Sequence, residues 1–209
     1  EVYRGDTIGW EQIQRREDQY LGGSNAQTAG SNEGTGTRAI NAGGYDSPNS
    51  TNVSTIDYLT IEVLGNALDF GDLVAATQHP GAVSDRTRFV NMGGNDPGTL
   101  NTIQFVSVSS TGNTSDFGDI RTGRESEFYM GTGASTTRAV IFRGTGTTGA
   151  PLAYDIDYLT FASKGNSVQF GEVENLQQRG GGGLSNSTRA VWGGGYSPSA
   201  KTNSIQYVT

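Results

Sequence analysis

The sequence contains no cysteine among its 209 residues, so disulfides and cysteine-ligated zinc sites are both excluded. Basic residues are also scarce, since 14 Lys and Arg stand against 21 Asp and Glu and leave a formal net charge of -7. Binding to nucleic acid through the phosphates requires a basic surface, which this composition does not supply. No apolar run reaches 18 residues. We therefore expect neither nucleic-acid binding nor membrane insertion.

Residues and motifs typical of catalysis are equally rare. His79 is the single histidine, which leaves acid-base or triad chemistry one position to occupy. The run Gly180–Gly183 lacks the Lys-Ser/Thr of a phosphate-binding loop. Asp-Phe-Gly occurs at Asp69 and Asp116 without the other segments of a kinase. Carboxylates that could cleave glycosides are present, but the sequence gives no distance between them. We expect no enzyme activity, no cofactor and no metal site.

What the sequence does contain is a repeat of aromatic residues and turns. In Ser54 to Leu73, the residues Ile56, Tyr58 and Thr60 show the two-residue period of a strand. A Gly-Asn pair then suits a tight type II′ hairpin before a returning strand. Three copies place two aromatic residues 12 apart around such a pair: Tyr58 and Phe70 around Gly65-Asn66, Phe105 and Phe117 around Gly112-Asn113, and Tyr158 and Phe170 around Gly165-Asn166.

The fourth copy continues from the end of the sequence to its beginning. Tyr207 stands two residues from the end, and counting 12 onward as though Thr209 were followed by Glu1 reaches Trp10. Counting 7 reaches Gly5, which Asp6 follows. This register predicts that Glu1–Ile13 completes the last repeat and closes a ring, which would leave few open sheet edges. The alternative is a disordered leader that matches by chance.

A second signature supplies further strands. Thr-Arg pairs at Arg38, Arg88, Arg138 and Arg189 each open a short apolar strand that ends in glycine. Together with the aromatic hairpin and a strand before Thr-Arg, this gives four strands per repeat, which is typical of a propeller blade. The predicted fold is all-β: a four-bladed β-propeller of repeats of about 50 residues, closed by the N-terminal strand. The predicted blades are 14–73, 74–120, 121–173, and 174–209 with 1–13.

Candidate binding residues are those that differ between equivalent positions in the variable loops after the glycines. Tyrosine rings can stack on the apolar face of a sugar, and Asn and Asp can bond its hydroxyls. Packing or plain exposure is the alternative for each residue. The candidates are Tyr45, Asp46, Asn95, Asp96, Thr145 and Tyr196.

The four arginines also have two interpretations. As a structural ring, Arg38, Arg88, Arg138 and Arg189 would bridge neighbouring blades to carboxylates or carbonyls, for which the arginine fork is suited. As a functional ring, they would hold an anion. We favour the structural interpretation.

Three sequence phrases carry a resemblance to a known family: Thr188-Arg-Ala-Val-Trp-Gly-Gly-Gly-Tyr196, Ser54-Thr-Ile-Asp-Tyr58 and Gly65-Asn-Ala-Leu-Asp-Phe-Gly-Asp-Leu73. With its paired glycines and downstream aromatic residues, the repeat resembles the kelch-type propeller repeat, and these phrases are similar to kelch-like repeats of structural proteins in tailed bacteriophages. On this resemblance, the predicted propeller is one of kelch-like repeats. The resemblance covers nearly the whole chain. It implies a virion component at the particle surface, in a tail fibre, tail or capsid decoration, whose partners are other virion proteins. It transfers no catalytic residues.

Three functions follow as hypotheses. The first is a non-enzymatic virion protein that displays surface loops to a host glycan or receptor. The second is an assembly element in a homo-oligomer or larger assembly, in which Glu1–Ile13 completes the last blade of a neighbouring subunit and builds a fibre. The third is a cellular lectin-like propeller.

Overall fold

The computed structural model describes the backbone of residues 2–4 and 9–11 and all atoms of residues 38–98, 100–121, 130–142, 155–174, 181–195 and 201–209. All the regular secondary structure in these ranges is β-strand, so the prediction of an all-β chain is confirmed for the described residues. They contain no helix with the length and apolarity needed to cross a membrane.

The strands are short, as expected where glycine and polar residues interrupt β-branched and aromatic residues. The strands of the described residues are β1 (Val2–Arg4), β2 (Gly9–Glu11), β3 (Arg38–Ala42), β4 (Tyr45–Asp46), β5 (Thr51–Asn52), β6 (Thr55–Thr60), β7 (Leu68–Asp72), β8 (Gly81–Ser84), β9 (Arg88–Met92), β10 (Thr102–Ser107), β11 (Ser115–Asp119), β12 (Gly131–Ala134), β13 (Arg138–Phe142), β14 (Asp155–Thr160), β15 (Val168–Glu172), β16 (Gly182–Ser185), β17 (Ala190–Gly193) and β18 (Ile205–Val208).

Four antiparallel sheets follow the sequence repeat, and we call them the first to fourth repeat sheets. Their strand orders are β3-β6-β7, β8-β9-β10-β11, β12-β13-β14-β15 and β16-β17-β18. The pairs β1-β2 and β4-β5 form two further sheets of two strands each. In the first repeat, the position equivalent to β8 falls before residue 38, outside the described residues.

Three hydrophobic clusters join consecutive repeat sheets. We call the side of a repeat sheet that meets the next one its front face, and the opposite side its back face. Ile56 and Phe70 on the front of the first repeat sheet pack with Val106 and Val108 on the back of the second. The same pattern joins the second to the third, and the third to the fourth, where Trp192 is buried. The core therefore lies between the sheets as a series of similar layers.

A repeated set of hydrogen bonds, which we call the Gly-Asn lock, fastens the second repeat sheet to the first and the third to the second. Gly112 donates its amide to the Phe70 carbonyl at 2.7 Å, and Thr114 donates to the Asp72 carbonyl at 2.8 Å. The Asp72 amide donates to Asn113 Oδ1 at 3.0 Å. The second and third repeat sheets make the same three bonds from Gly165 to Phe117, Ser167 to Asp119, and Asp119 to Asn166.

The lock corrects the prediction of a tight two-residue hairpin at Gly-Asn. β6 ends at Thr60 and β7 begins at Leu68, so seven residues connect them. In the second and third repeats, the amide of the residue after Gly-Asn, at Thr114 and Ser167, donates to the neighbouring sheet, whereas a two-residue hairpin would use that amide to close its own turn.

Near the N-terminus, β1 and β2 pair antiparallel, with Tyr3 opposite Trp10. Within the described residues, β18 pairs only with β17, through the opposition of Val191 and Tyr207. The described residues do not show a closed ring, and the sheets they form do not by themselves establish four blades. That part of the predicted fold, with its blade boundaries, stays a prediction.

Candidate binding surface

Fully buried Thr77 sets the first two variable loops side by side. Its carbonyl accepts the Gly44 amide at 2.8 Å, and its hydroxyl donates to the Gly93 carbonyl at 3.1 Å. A Cβ on Gly94 would lie 1.9 Å from that hydroxyl, and Gly94 has a φ of +98°. The glycine pairs that end the Thr-Arg strands are thus needed for close approach, and they place the loops that follow them next to each other.

The first loop is the β4–β5 hairpin. Tyr45 lies opposite Asn52 and Asp46 lies opposite Thr51. Asn49 closes the turn by donating its side-chain amide to Asp46 Oδ2 at 2.6 Å. The Tyr45 side chain is 51% exposed. The hairpin therefore presents an aromatic ring beside a carboxylate that is already fixed by a neighbouring amide.

Asn52 joins this hairpin to the second loop. Its side-chain amide donates to the Asn95 carbonyl at 2.7 Å and to Asp96 Oδ1 at 2.9 Å. The second loop is itself held by a bond from the Asp96 amide to the Gly98 carbonyl at 2.7 Å. The structure thus brings together four of the predicted candidates on one surface, which we call the loop surface: Tyr45, Asp46, Asn95 and Asp96.

Thr145 and Tyr196, the other two candidates, lie outside the described residues. Sequence reasoning singled out the loops but missed Asn52, the residue that connects them. The available signal was an amide at the end of the first variable loop, and its partner lies 44 residues away. The loop surface offers an aromatic face and carboxylate oxygens with unused lone pairs, which suits a ligand with hydroxyl groups.

Each Thr-Arg arginine stacks on the central aromatic residue of its own sheet. Such stacking fixes the planar guanidinium against a ring and suits arginine rather than lysine. From the arginine Cζ to the ring centroid, the distances are 4.9 Å for Arg38 on Tyr58, 5.3 Å for Arg88 on Phe105, 5.0 Å for Arg138 on Tyr158 and 4.5 Å for Arg189 on Tyr207.

Two of these arginines also reach the next sheet. Arg38 Nη1 donates to the Val108 carbonyl at 2.6 Å, and Arg88 Nη1 donates to the Phe161 carbonyl. Val108 and Phe161 occupy equivalent positions, each just after the central strand of its repeat. Arg38 and Arg88 therefore bridge neighbouring sheets through main-chain carbonyls. The alternative of an anion-binding ring stays a prediction.

An ion-pair cluster with buried carboxylates and a partly exposed arginine lies at the boundary of the second and third repeat sheets. Arg121 Nη2 lies 2.6 Å from Asp155 Oδ2 and 3.2 Å from Asp157 Oδ1. Asp157 is fully buried and also accepts the Ser167 hydroxyl at 3.0 Å. Burial lowers the pKa of Arg121, but attraction to Asp157 and hydrogen bonds to both carboxylates outweigh it and hold the pKa above its ordinary value. The cluster is a fastening between sheets that the sequence analysis did not identify.

Within the described residues, no three His, Cys, Asp or Glu side chains are grouped so that they could hold a metal ion. A scan against protein-family models found no matching family, and a search of the curated proteins found no similar sequence.

Proposed function

We propose that this protein is a non-enzymatic structural component of a tailed-bacteriophage particle that displays the loop surface to host carbohydrate. The observation that carries the proposal is the Asn52 bridge, which holds half-exposed Tyr45 and the carboxylates of Asp46 and Asp96 on adjoining loops. Loops fixed on a rigid β-scaffold are a common arrangement for recognition. The particle assignment is supported by the resemblance of the repeat phrases.

The finer architecture that we propose is a propeller of kelch-like blades in which Glu1–Ile13 completes the last sheet. It is supported by the common strand order of the repeat sheets and by the register of the N-terminal residues. The donor strand can come from the same chain or from a neighbour. The first form gives a self-contained display protein, and the second gives a subunit that assembles.

Glycan-array binding of the purified chain tests the display function. We expect Tyr45→Ala to weaken binding about fivefold to tenfold, because about 1 kcal/mol of ring stacking is lost. Tyr45→Phe is the matched control and should retain binding, since it keeps the ring. Tyr196→Ala tests the equivalent loop of the fourth repeat. Absence of binding to any glycan, or equal binding by Tyr45→Ala and the parent chain, would overturn the proposal.

A second candidate function is assembly by strand exchange through residues 1–13. It is favoured by the edge position of β18. The equivalent strands β6, β10 and β14 each pair with an outer strand as well as an inner one, whereas β18 pairs with β17 alone within the described residues. An edge strand with open main-chain groups is a template for a strand from another chain.

Deletion of residues 1–13 separates the two forms. If the segment acts between chains, the shortened chain should remain folded and fail to associate. If the segment acts within its own chain, the deletion should lower the free energy of unfolding. Circular dichroism with urea titration, combined with sedimentation velocity, measures both properties on one sample.

A further inference from the structure

The two outermost faces of the repeat sheets are open and apolar. On the back face of the first repeat sheet, Leu59 is 41% exposed and Ile61 is 51% exposed. On the front face of the fourth, Ile205 is 72% exposed and Tyr207 is also exposed. Contiguous exposed apolar residues of this kind mark an interaction surface more often than a solvent surface.

The equivalent residues are buried where the first and second repeat sheets meet and where the second and third meet. At the boundary of the third and fourth sheets, Val208, the equivalent of Leu59, is partly buried. Val106 and Val108, which correspond to Leu59 and Ile61, are 7% and 6% exposed because they face the first repeat sheet. The residues that correspond to Ile205 are buried in all three earlier sheets: Ile56, Ile103 and Ile156. The open back face therefore carries one half of the interface that the molecule already uses three times, and the open front face carries the other half.

The first repeat sheet also carries the polar groups that hydrogen-bond across that interface, namely the Gly-Asn turn and the carbonyl that accepts from an arginine. In the first repeat sheet, the turn at Gly65 is exposed, whereas its equivalents at Gly112 and Gly165 donate their amides to the preceding sheet. The bridging carbonyls of Val108 and Phe161 correspond in sequence position to the carbonyl of Ile61.

We propose that the back face of the first repeat sheet in one copy packs on the front face of the fourth repeat sheet in a second copy, head to tail. Leu59 and Ile61 of one copy would cover Ile205 of the other, and Arg189 would donate to the Ile61 carbonyl as Arg38 does to Val108. This inference rests on the assembly function proposed above, and it identifies the two sheet faces through which the copies would associate.

A second copy of this chain is the indicated partner, because the contact would continue the interface between consecutive repeat sheets. The first repeat sheet of the second copy carries apolar residues at the positions that the next sheet uses in that interface. Within the described residues the two faces do not cover each other, since Leu59 and Ile205 are both exposed, so the contact belongs to the assembling form and not to a propeller closed within one chain. The contact is heterologous, so it generates a ring or a filament according to the rotation between copies.

Complementary capped variants test the proposal by sedimentation velocity and light scattering. Leu59→Glu blocks the back face and Ile205→Glu blocks the front face. We expect the parent chain to associate with increasing concentration and each variant alone to be monomeric. A 1:1 mixture should form dimers and nothing larger, since each variant keeps one working face. Val74→Lys, at an exposed valine on the boundary of the first and second sheets, should associate like the parent.

A second pair of variants, Ile61→Lys and Ile205→Ser, covers the case in which a first variant fails to fold, as judged by circular dichroism. Association by both single variants, or a mixture that stays monomeric, overturns the face-to-face contact. If deletion of residues 1–13 prevents association while the face variants do not, assembly stands and this contact fails. A parent chain that is monomeric at every concentration overturns both.

Discussion

Gly118 and Gly165 touch through their main chains across the boundary of the second and third repeat sheets, where a Cβ on Gly118 would lie 2.4 Å from the Gly165 carbonyl oxygen. Gly71 has the same relation to Gly112. Both Gly71 and Gly118 have a φ near +150°, which side chains rarely adopt. The glycine of the Phe-Gly-Asp motif is thus required by the lock between sheets, which gives the motif a structural role in these two repeats.

We expect Gly118→Ala to lower the free energy of unfolding by about 2–3 kcal/mol, because the new methyl group displaces the Gly165 turn and the backbone is strained. Gly171→Ala is the matched control. Gly171 has the same place in the third repeat but no atom within 4 Å of a Cβ, so its change should stay within about 1 kcal/mol. Urea unfolding followed by fluorescence measures both, and equal losses would contradict the role of the lock.

Local patterns in the sequence predicted the strands well, because alternation and aromatic spacing are properties of neighbouring residues. The 12-residue spacing corresponds to real ring contacts, such as the edge-to-face pair of Phe105 and Phe117 with centroids 5.7 Å apart. The Gly-Asn pairs were recognised as turns, but their partners lie about 40 residues earlier in the chain. Single-chain periodicity carries no information on such long-range pairing.

The loop surface shows the same difference between local features, which the sequence predicts, and long-range contacts, which it does not. The variable loops were identifiable because Tyr45 and Asn95 interrupt an otherwise regular repeat. Their adjacency depends on Asn52 and Asp96, whose contact spans 44 residues. The Arg121 cluster was missed for a similar reason. Arg121 belongs to no motif, and although Asp157 lies in the Ile-Asp-Tyr phrase of the third repeat, its pairing with Arg121 is created by sheet stacking.

Gln104 is a second fastening, and its replacement should be costly. Its side-chain amide accepts from the Ala75 amide and donates to the Ala75 carbonyl, both at 3.2 Å, and Thr114 donates to it at 2.9 Å. Gln104→Leu would leave these groups unpaired next to a buried side chain, so we expect a loss of about 2–3 kcal/mol in the free energy of unfolding.

Gln206 provides the comparison for Gln104. It holds the equivalent place in the fourth repeat and accepts the Glu174 amide at 3.1 Å in an exposed setting. Gln206→Leu should therefore cost less than about 1 kcal/mol. Chemical denaturation of both variants under identical conditions compares their losses in the free energy of unfolding. The prediction fails if Gln206→Leu loses more than Gln104→Leu.

Removal of the Arg121 guanidinium should strand the carboxylates of Asp155 and Asp157 in a buried position. Breaking a buried pair typically costs about 3–5 kcal/mol, but the Arg121 side chain is 36% exposed and solvent reduces the effect. We expect Arg121→Met to cost about 2 kcal/mol. Adding Asp157→Asn should recover part of this loss, because it removes one stranded charge and keeps an acceptor for Ser167. A double variant less stable than Arg121→Met would rule out this account.

His79 should make the protein less stable in mild acid. Burial lowers the pKa of His79 from its ordinary value of 6.5, so the unfolded chain binds a proton more readily than the folded chain does. The free energy of unfolding is therefore unaffected by this group well above 6.5 and falls as the pH drops through 6.5 toward the lower folded-state pKa. His79→Asn removes the titration while tolerating the φ of +58° at this position. Urea unfolding at pH 7.5 and at pH 5 should show a smaller loss for the variant than for the parent chain. An equal loss in both would assign the acid sensitivity to other groups.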